Sequence, residues 1–256
     1  MDEARVAAYL HRIGYQGDTK PTAETLSALQ FAHLCAVPYE NLDILAGIPL
    51  SLSHEKLYDK IVACGRGGYC FELNELFGWL LRELGYEVVD YFARFLWQET
   101  TIPKRRHHVL SVTPPGSAER WLCDVGVGSG SPNYPLRIEY GTEQRQGEAR
   151  YRLDMDGFLG WVVKTYKQDA WKPLFSFTEE PQLPIDYVTT SFYCEHAEDS
   201  PFNKAAMVAI RTPTGRYTLD GNTFKHFDGE NVSCWEPESE ADRLDTLRRL
   251  FGIRLA

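Results

Sequence analysis

The sequence predicts an α+β protein assembled in three parts. Residues 1–85 carry apolar side chains at helical spacing, and residues 86–195 turn to short strands parted by turn residues. Residues 196–256 hold a hairpin followed by a helix. In the first part, Asp2 can cap a helix with Val6, Tyr9, Leu10 and Ile13 on one side and Gly14 as its stop. Thr22 can cap a second helix carrying Leu26, Leu29 and His33. Ser53 to Val62 forms a third, through Leu57, Tyr58 and Ile61. Strands are expected over Glu87 to Trp97, Val109 to Thr113, Trp121 to Val125, Tyr151 to Leu153 and Phe158 to Tyr166, a pattern that suits a barrel or a sandwich. The polar stretch Gly141 to Arg150 reads as a surface loop. In the last part Met207 to Arg211 pairs with Arg216 to Leu219. A closing helix then starts at Ser239, where Ser239 and Asp242 form a capping pair ahead of Leu244, Leu247, Leu250 and Phe251.

Composition narrows the function classes. The 256 residues are 43% hydrophobic and 25% charged, enough apolar material for a sizeable core in a globular chain. Thirty-six acidic against 27 basic residues give a net charge of −9, with no long basic stripe, which argues against nucleic-acid binding. No run of about 18 apolar residues suggests a membrane span. Met1-Asp2-Glu3-Ala4-Arg5 is acidic and no apolar core follows it, so no secretory signal is expected. Six cysteines without a Cys-x-x-Cys pair or a dense framework fit reduced thiols in a cytoplasmic protein. Seven histidines show no metal-ligand spacing, and no metal site is assigned.

The chemistry centres on Arg66-Gly67-Gly68-Tyr69-Cys70. Two glycines permit a sharp turn, with positive φ expected, and Leu73, Leu76, Phe77, Leu80, Leu81 and Leu84 then recur at helical spacing up to Gly85. Cys70 is thereby placed in the first helical turn. Unpaired N–H groups and the positive end of the helix dipole favour a thiolate there, the nucleophilic form. A nucleophilic thiol needs a base, and the base an orienter. Arg105 to Thr113 reads as a strand, Pro114-Pro115-Gly116-Ser117 as a turn and Arg120 to Val125 as the returning strand. Folding about the Pro115–Gly116 bond sets His107 opposite Asp124, His108 opposite Cys123 and Val109 opposite Leu122. Opposed residues share a face with Cβ atoms roughly 5 Å apart, close enough for a carboxylate to accept from an imidazole. A one-residue slip would set His108 against Asp124 instead.

Several blocks together resemble the arylamine N-acetyltransferase family, across nearly the whole chain. Tyr9 to Tyr15 and Pro21 to Leu26 match its opening. Val37-Pro38-Tyr39-Glu40-Asn41-Leu42-Asp43 resembles its Pro-Phe-Glu-Asn-Leu block, with Tyr39 for Phe. Arg66 to Asn74 matches its nucleophile motif, and His107, followed by Leu110 and Val112, fits its histidine strand better than His108 does. Asp124-Val125-Gly126-Val127-Gly128 resembles Asp-Val-Gly-Phe-Gly, with Val127 for Phe. Thr214 to Leu219 matches a C-terminal hairpin, and Phe202 lies where the family carries a pocket phenylalanine.

The resemblance implies a helical bundle (1–85), a β-barrel (86–195) and an α/β lid (196–256) around a cysteine-protease-like Cys-His-Asp core. It further implies acetyl transfer from acetyl-CoA to a small aromatic amine or hydrazine through Cys70, His107 and Asp124, without a metal or a tightly bound cofactor. Gly126, Val127, Gly128 and Ser129 would approach the coenzyme phosphates, with Thr214 and Gly215 as further contacts, while Tyr39 and Phe202 would line the acceptor pocket. Glu40 and Arg66 read as a structural ion pair, and Glu72 and Asn74 as local hydrogen-bonding groups. The competing readings are a macrolactam-forming amide synthase of the same family and a papain- or transglutaminase-like cysteine hydrolase. The sequence sets neither the preferred acceptor and acyl group nor an oligomeric state.

Overall fold

The computed structural model describes residues 2–255. Helix α1 (Glu3–Arg12) begins where Asp2 accepts from the Arg5 N–H, and α2 (Ala23–Ala36) where Thr22 accepts from the Thr25 N–H, as the sequence predicts. The short strand β1 (Tyr39–Glu40) and helix α3 (Leu42–Leu45) follow. Helix α4 (His54–Tyr58) continues into a π-helical turn, Asp59–Ala63, and α5 (Cys70–Glu83) is the central helix. Tyr9, Leu26, Leu29, Leu73, Leu76, Phe77 and Leu80 pack these helices around one buried core.

Eight antiparallel strands form the second part as a nearly closed barrel. They are β2 (Glu87–Phe95), β3 (His107–Thr113), β4 (Trp121–Cys123), β5 (Leu136–Arg137), β6 (Gln144–Gln146), β7 (Ala149–Asp156), β8 (Gly160–Lys167) and β9 (Ala170–Gln182), in the order β5-β4-β3-β2-β9-β8-β7-β6. The longest of them, β9, went unread in the sequence. Pro173 and Pro181 break its pattern, and the ladder accommodates Pro173 at a register shift beside Lys164. Helix α6 (Pro184–His196) replaces what reads as strand texture up to Cys194. Pro184 supplies a preset first turn, and the Asp186 carboxylate accepts from the Leu183 N–H.

The third part is a sheet of β10 (Met207–Arg211), β11 (Gly215–Asp220), β12 (Thr223–Asp228) and β13 (Asn231–Trp235), packed against α7 (Glu240–Phe251) through Phe224, Leu247 and Phe251. Its first strand is β1, borrowed from the N-terminal part, with Tyr39 opposite Ala209 and Glu40 opposite Val208. Asn41 fastens the join. Its amide donates to the Phe202 and Ala205 carbonyls at 2.8 Å each, and its oxygen accepts from the Met207 N–H at 2.7 Å.

The β3–β4 hairpin departs from the expected register by two residues. Leu110 faces Cys123, Ser111 faces Leu122 and Val112 faces Trp121. Side chains alternate with period two, so an even shift leaves each residue on its face. His107 and Asp124 therefore remain neighbours as a diagonal pair at the mouth of the hairpin.

Replacing Asn41 with Ala strands two carbonyls and one N–H in a buried seam. Equilibrium unfolding in urea should show a loss of about 2 kcal/mol or more. An unchanged midpoint would mean that the lid is held without this side chain.

Candidate active site

The turn before Cys70 is held by charge. Arg66 donates to both Glu40 oxygens at 2.8 Å and to Asp43 at 2.7 Å, and Glu40 also accepts from the Gly67 N–H at 3.0 Å. Lys60 bridges Asp43 and Glu72 at 2.8 Å each, and Glu72 accepts from the Tyr69 N–H at the head of α5. Burial opposes the charge on Lys60, but Glu72, Glu40 and Asp43 outweigh it and raise its pKa. The structural reading of Glu40 and Arg66 thus extends to a five-residue network. The glycines serve space and not backbone handedness. A Cβ on Gly67 would lie 1.9 Å from the Pro38 carbonyl oxygen, and one on Gly68 would lie 2.8 Å from the Glu72 side chain. Neither adopts positive φ; Gly65, just before them, does.

Cys70 opens α5, is 2% exposed and points its Sγ at the Arg106 carbonyl oxygen, 3.7 Å away. Burial pushes its thiol well up, and the nearby Cys194 and Asp124 push the same way. The backbone N–H groups of His108 and Phe71 oppose them. Burial thus opposes the helix start at this thiol, and a candidate proton acceptor is sought beside it.

His107 is the candidate acceptor. His107 heads β3, and its Nε2 lies 2.6 Å from Asp124 Oδ2, which commits this nitrogen to the carboxylate and leaves Nδ1 free. The other Asp124 oxygen accepts from Asn74 Nδ2 at 3.0 Å and from the Gly126 N–H at 2.8 Å. Asn74 also donates to the His108 carbonyl at 2.7 Å and accepts from the Val125 N–H. Its bonds are thus not local, as its helical position suggests, but join α5 to β3 and β4. His108 points to the opposite side of the strand. It is fully buried, bonds Asp90 at 2.9 Å and stacks on Tyr187 with ring centroids 4.2 Å apart. His108, Asp90 and Glu75 offer ligand atoms within 4.8 Å of one another, but Asp90 already pairs with Arg82, so the chain supplies the cation there itself.

Cys70 and His107 share a cavity of about 480 Å³. Tyr39, Phe202 and the loop Gly126, Val127, Gly128, Ser129 line it, as expected from the sequence. Gly126 lies so close to the nucleophile that a Cβ would sit 2.6 Å from Cys70 Cα, and Gly128 takes φ +71° beneath the Tyr39 ring. Thr214 and Gly215 lie in or at the β10–β11 turn and do not line the cavity. Residues of the same sheet further along, Thr218, Lys225 and Phe227, do. Lys225 and Phe227 escaped the sequence reading because β12 did. Arg106 and Trp97, also in the wall, stand at either end of the β2–β3 connection, and Arg106 could have been marked by its place beside His107.

Comparisons with known proteins agree with this arrangement. A family model described as N-acetyltransferase matches residues 22–256. An arylamine N-acetyltransferase of Mycolicibacterium smegmatis is 38% identical, over 98% of this chain and 92% of its own length. The arylamine N-acetyltransferase / N-hydroxyarylamine O-acetyltransferase of Salmonella typhimurium is 34% identical, over 96% and 88%. The solved structure of the Mycobacterium marinum arylamine N-acetyltransferase in complex with CoA superposes with a TM-score of 0.91 at 37% identity, over 97% of this chain and 92% of that one.

Two outcomes follow for the site. Limiting iodoacetamide near neutral pH should label Cys70 ahead of Cys35, Cys64, Cys123, Cys194 and Cys234, with activity lost in step; equal loss on labelling any other cysteine would remove the assignment. His107→Gln should leave Cys70 as an isolated buried thiol, held above its ordinary value of about 8.5, so alkylation should be slow at pH ~6 and rise only in alkali. His108→Gln should leave fast alkylation at pH ~6 in place while lowering stability. The reverse pattern would make His108 the base.

Proposed function

Because the chain belongs to the arylamine N-acetyltransferase family, we propose that it transfers acetyl groups to aromatic amines, hydrazines or hydroxylamines through an acetyl-Cys70 thioester. It is an acetyltransferase, and acetyl-CoA is its co-substrate. One observation carries the mechanism: Cys70 opens into the same cavity as His107, whose far nitrogen is held by Asp124.

In the first displacement the Cys70 proton passes to His107 Nδ1, and the thiolate attacks the acetyl carbonyl carbon. The bond from that carbon to the coenzyme sulfur breaks, and CoA leaves with the proton from His107. The acceptor nitrogen then attacks acetyl-Cys70, its proton passes to His107, and the carbon–Sγ bond breaks to release the amide. The proton returns from His107 to the Cys70 thiolate, restoring the starting state. Asp124 holds the imidazole orientation and stabilises its charged form through both half-reactions. Thiolate suits this path because it both attacks and leaves well. Both substrates must meet one sulfur in one cavity, so the acceptor enters the volume that CoA vacates, beside Tyr39 and Phe202.

Two-substrate kinetics with acetyl-CoA and an arylhydrazine should give parallel double-reciprocal lines, and intact mass should show one acetyl group on the enzyme before acceptor is added. Cys70→Ser should abolish the adduct and slow turnover by ~10³-fold or more. Intersecting lines would replace the covalent route by a ternary complex. Peptide turnover without an acetyl adduct would favour a hydrolase.

A further inference from the structure

The wall of the catalytic cavity continues into a group of cations with no acidic partner. Ala209 faces Thr218, Thr218 faces Lys225, and Phe227 faces Arg216 across the lid sheet. Opposed residues share a face and so do residues two apart, which puts Arg211 and Arg216 on the same face as the cavity-lining Ala209, Thr218, Lys225 and Phe227. Arg211 and Arg216 stand directly opposite each other, an arrangement in which like charges destabilise an antiparallel pair. Lys167, at the end of β8, joins them from the barrel. Partial desolvation at its exposed position lowers the pKa of Lys167, and the Arg216 and Arg211 charges lower it further; burial and then Arg211 act the same way on Arg216. No carboxylate lies within ion-pair distance of any of the three among the described residues.

The group is wired to the cavity and holds unused donors. The Arg216 guanidinium lies 3.7 Å from the centre of the Phe227 ring and the Lys167 ammonium 5.2 Å from the Trp97 ring, and both rings line the cavity that contains Cys70. Arg211 donates to the Ser131 carbonyl at 2.7 Å, which ties the group to the end of the glycine loop after Asp124. Arg216 Nε and Ser131 Oγ are both buried without a hydrogen-bond partner. Buried polar atoms are satisfied in the great majority of cases, and here one unsatisfied donor belongs to Arg216 and one unsatisfied hydroxyl to the residue that Arg211 bonds.

We propose that Lys167, Arg211 and Arg216 form an anion site at the mouth of the catalytic cavity that takes a phosphate of the acyl-coenzyme A donor. The proposal rests on the acetyl-transfer reading above. The chain carries −9 overall, so its general field repels a polyanionic donor, and a local cationic site is what offsets that repulsion. With a phosphate at the seam of lid and barrel, the pantetheine arm runs past Phe227 and Trp97 toward Cys70. The ligand neutralises the Arg211–Arg216 repulsion as it binds. The two arginines flank the turn that holds Thr214 and Gly215, so in this arrangement the hairpin contacts the coenzyme through its charged shoulders and not through its tip.

The test compares three donors, acetyl-CoA, acetyl-3′-dephospho-CoA and S-acetylpantetheine, at saturating arylhydrazine, in the native enzyme, Arg216→Gln and Lys167→Gln. The expected result is a fall of about tenfold or more in the ratio of kcat/KM for acetyl-CoA over S-acetylpantetheine, carried by KM for acetyl-CoA, as loss of one charge-assisted hydrogen bond implies. If the fall disappears with the dephospho donor, the site takes the 3′-phosphate; if it persists, the pyrophosphate. An equal loss with acetyl-CoA and S-acetylpantetheine would make the cations structural, and no change with either would leave the site without a donor phosphate; both results overturn the proposal. Lys167 is exposed, so its variant carries the test if Arg216→Gln does not fold. Failure of the native enzyme to form an acetyl adduct on Cys70 with any of the three donors would instead overturn the acetyl-transfer reading, and the proposal with it.

Discussion

One buried carboxylate holds the three parts of the catalytic centre together. Asp124 is 2% exposed and spends its two oxygens on His107 of the barrel, Asn74 of the central helix and the Gly126 N–H of its own loop. A carboxylate buried without partners is costly, and removal of one partner leaves the charge uncompensated. The same cost fixes geometry here: α5 cannot shift relative to β3 without stripping a bond from Asp124. Asn74 reinforces the constraint, because its amide also donates to the His108 carbonyl and its oxygen accepts from Val125. The spacing between Cys70 and His107 is thus set by a side chain that touches neither substrate in the proposed mechanism.

The electrostatics of Cys70 give that constraint its chemical meaning. A helix start contributes typically 0.3–1 kcal/mol toward an anion, and up to ~2 kcal/mol in partly buried geometry. Burial, Cys194 and Asp124 all push the thiol the other way, and together they prevail. In the proposed mechanism, ionisation is a transfer to His107, with cation and thiolate formed as a pair. The charge network of Arg66, Glu40, Asp43, Lys60 and Glu72 lies behind the turn and spends its charges on one another and on the Gly67 and Tyr69 N–H groups.

Much of this was legible in the sequence, and the misses share physical causes. Cys70, His107 and Asp124 could be singled out as candidates because each sits where a local signal marks it: a glycine-flanked helix start, a strand start, and a strand end before Gly-x-Gly. The hairpin register was read two residues off, yet the His107–Asp124 pair survived because parity and not register decides the face. Gly67 and Gly68 were rightly singled out for the wrong reason; crowding by Pro38 and Glu72 is invisible before the chain is folded. Strand β9 and helix α6 were lost to prolines, which weaken a strand pattern at Pro173 and preset a helix at Pro184. Asn74 was visible as a residue but not as a link, since its partners lie 34 to 51 positions away.

The lid is where sequence order and spatial order part most, and the cavity is a consequence. Tyr39 belongs by sequence to the helical part, but it forms the edge of the lid sheet opposite Ala209, and its ring lies over Gly128 of the loop that follows Asp124. One residue thereby joins all three parts, by its backbone and by its ring. Gly128 must be glycine on two counts: its φ of +71° is poorly open to other residues, and a Cβ would press on the Tyr39 ring at 3.2 Å. Because bundle, barrel and lid each contribute a wall, no single part encloses the cavity. The cations Lys167, Arg211 and Arg216 come from the barrel and the C-terminal sheet. In an acidic chain, a local cationic group of this kind offsets the repulsion that a polyanionic ligand meets from the overall charge.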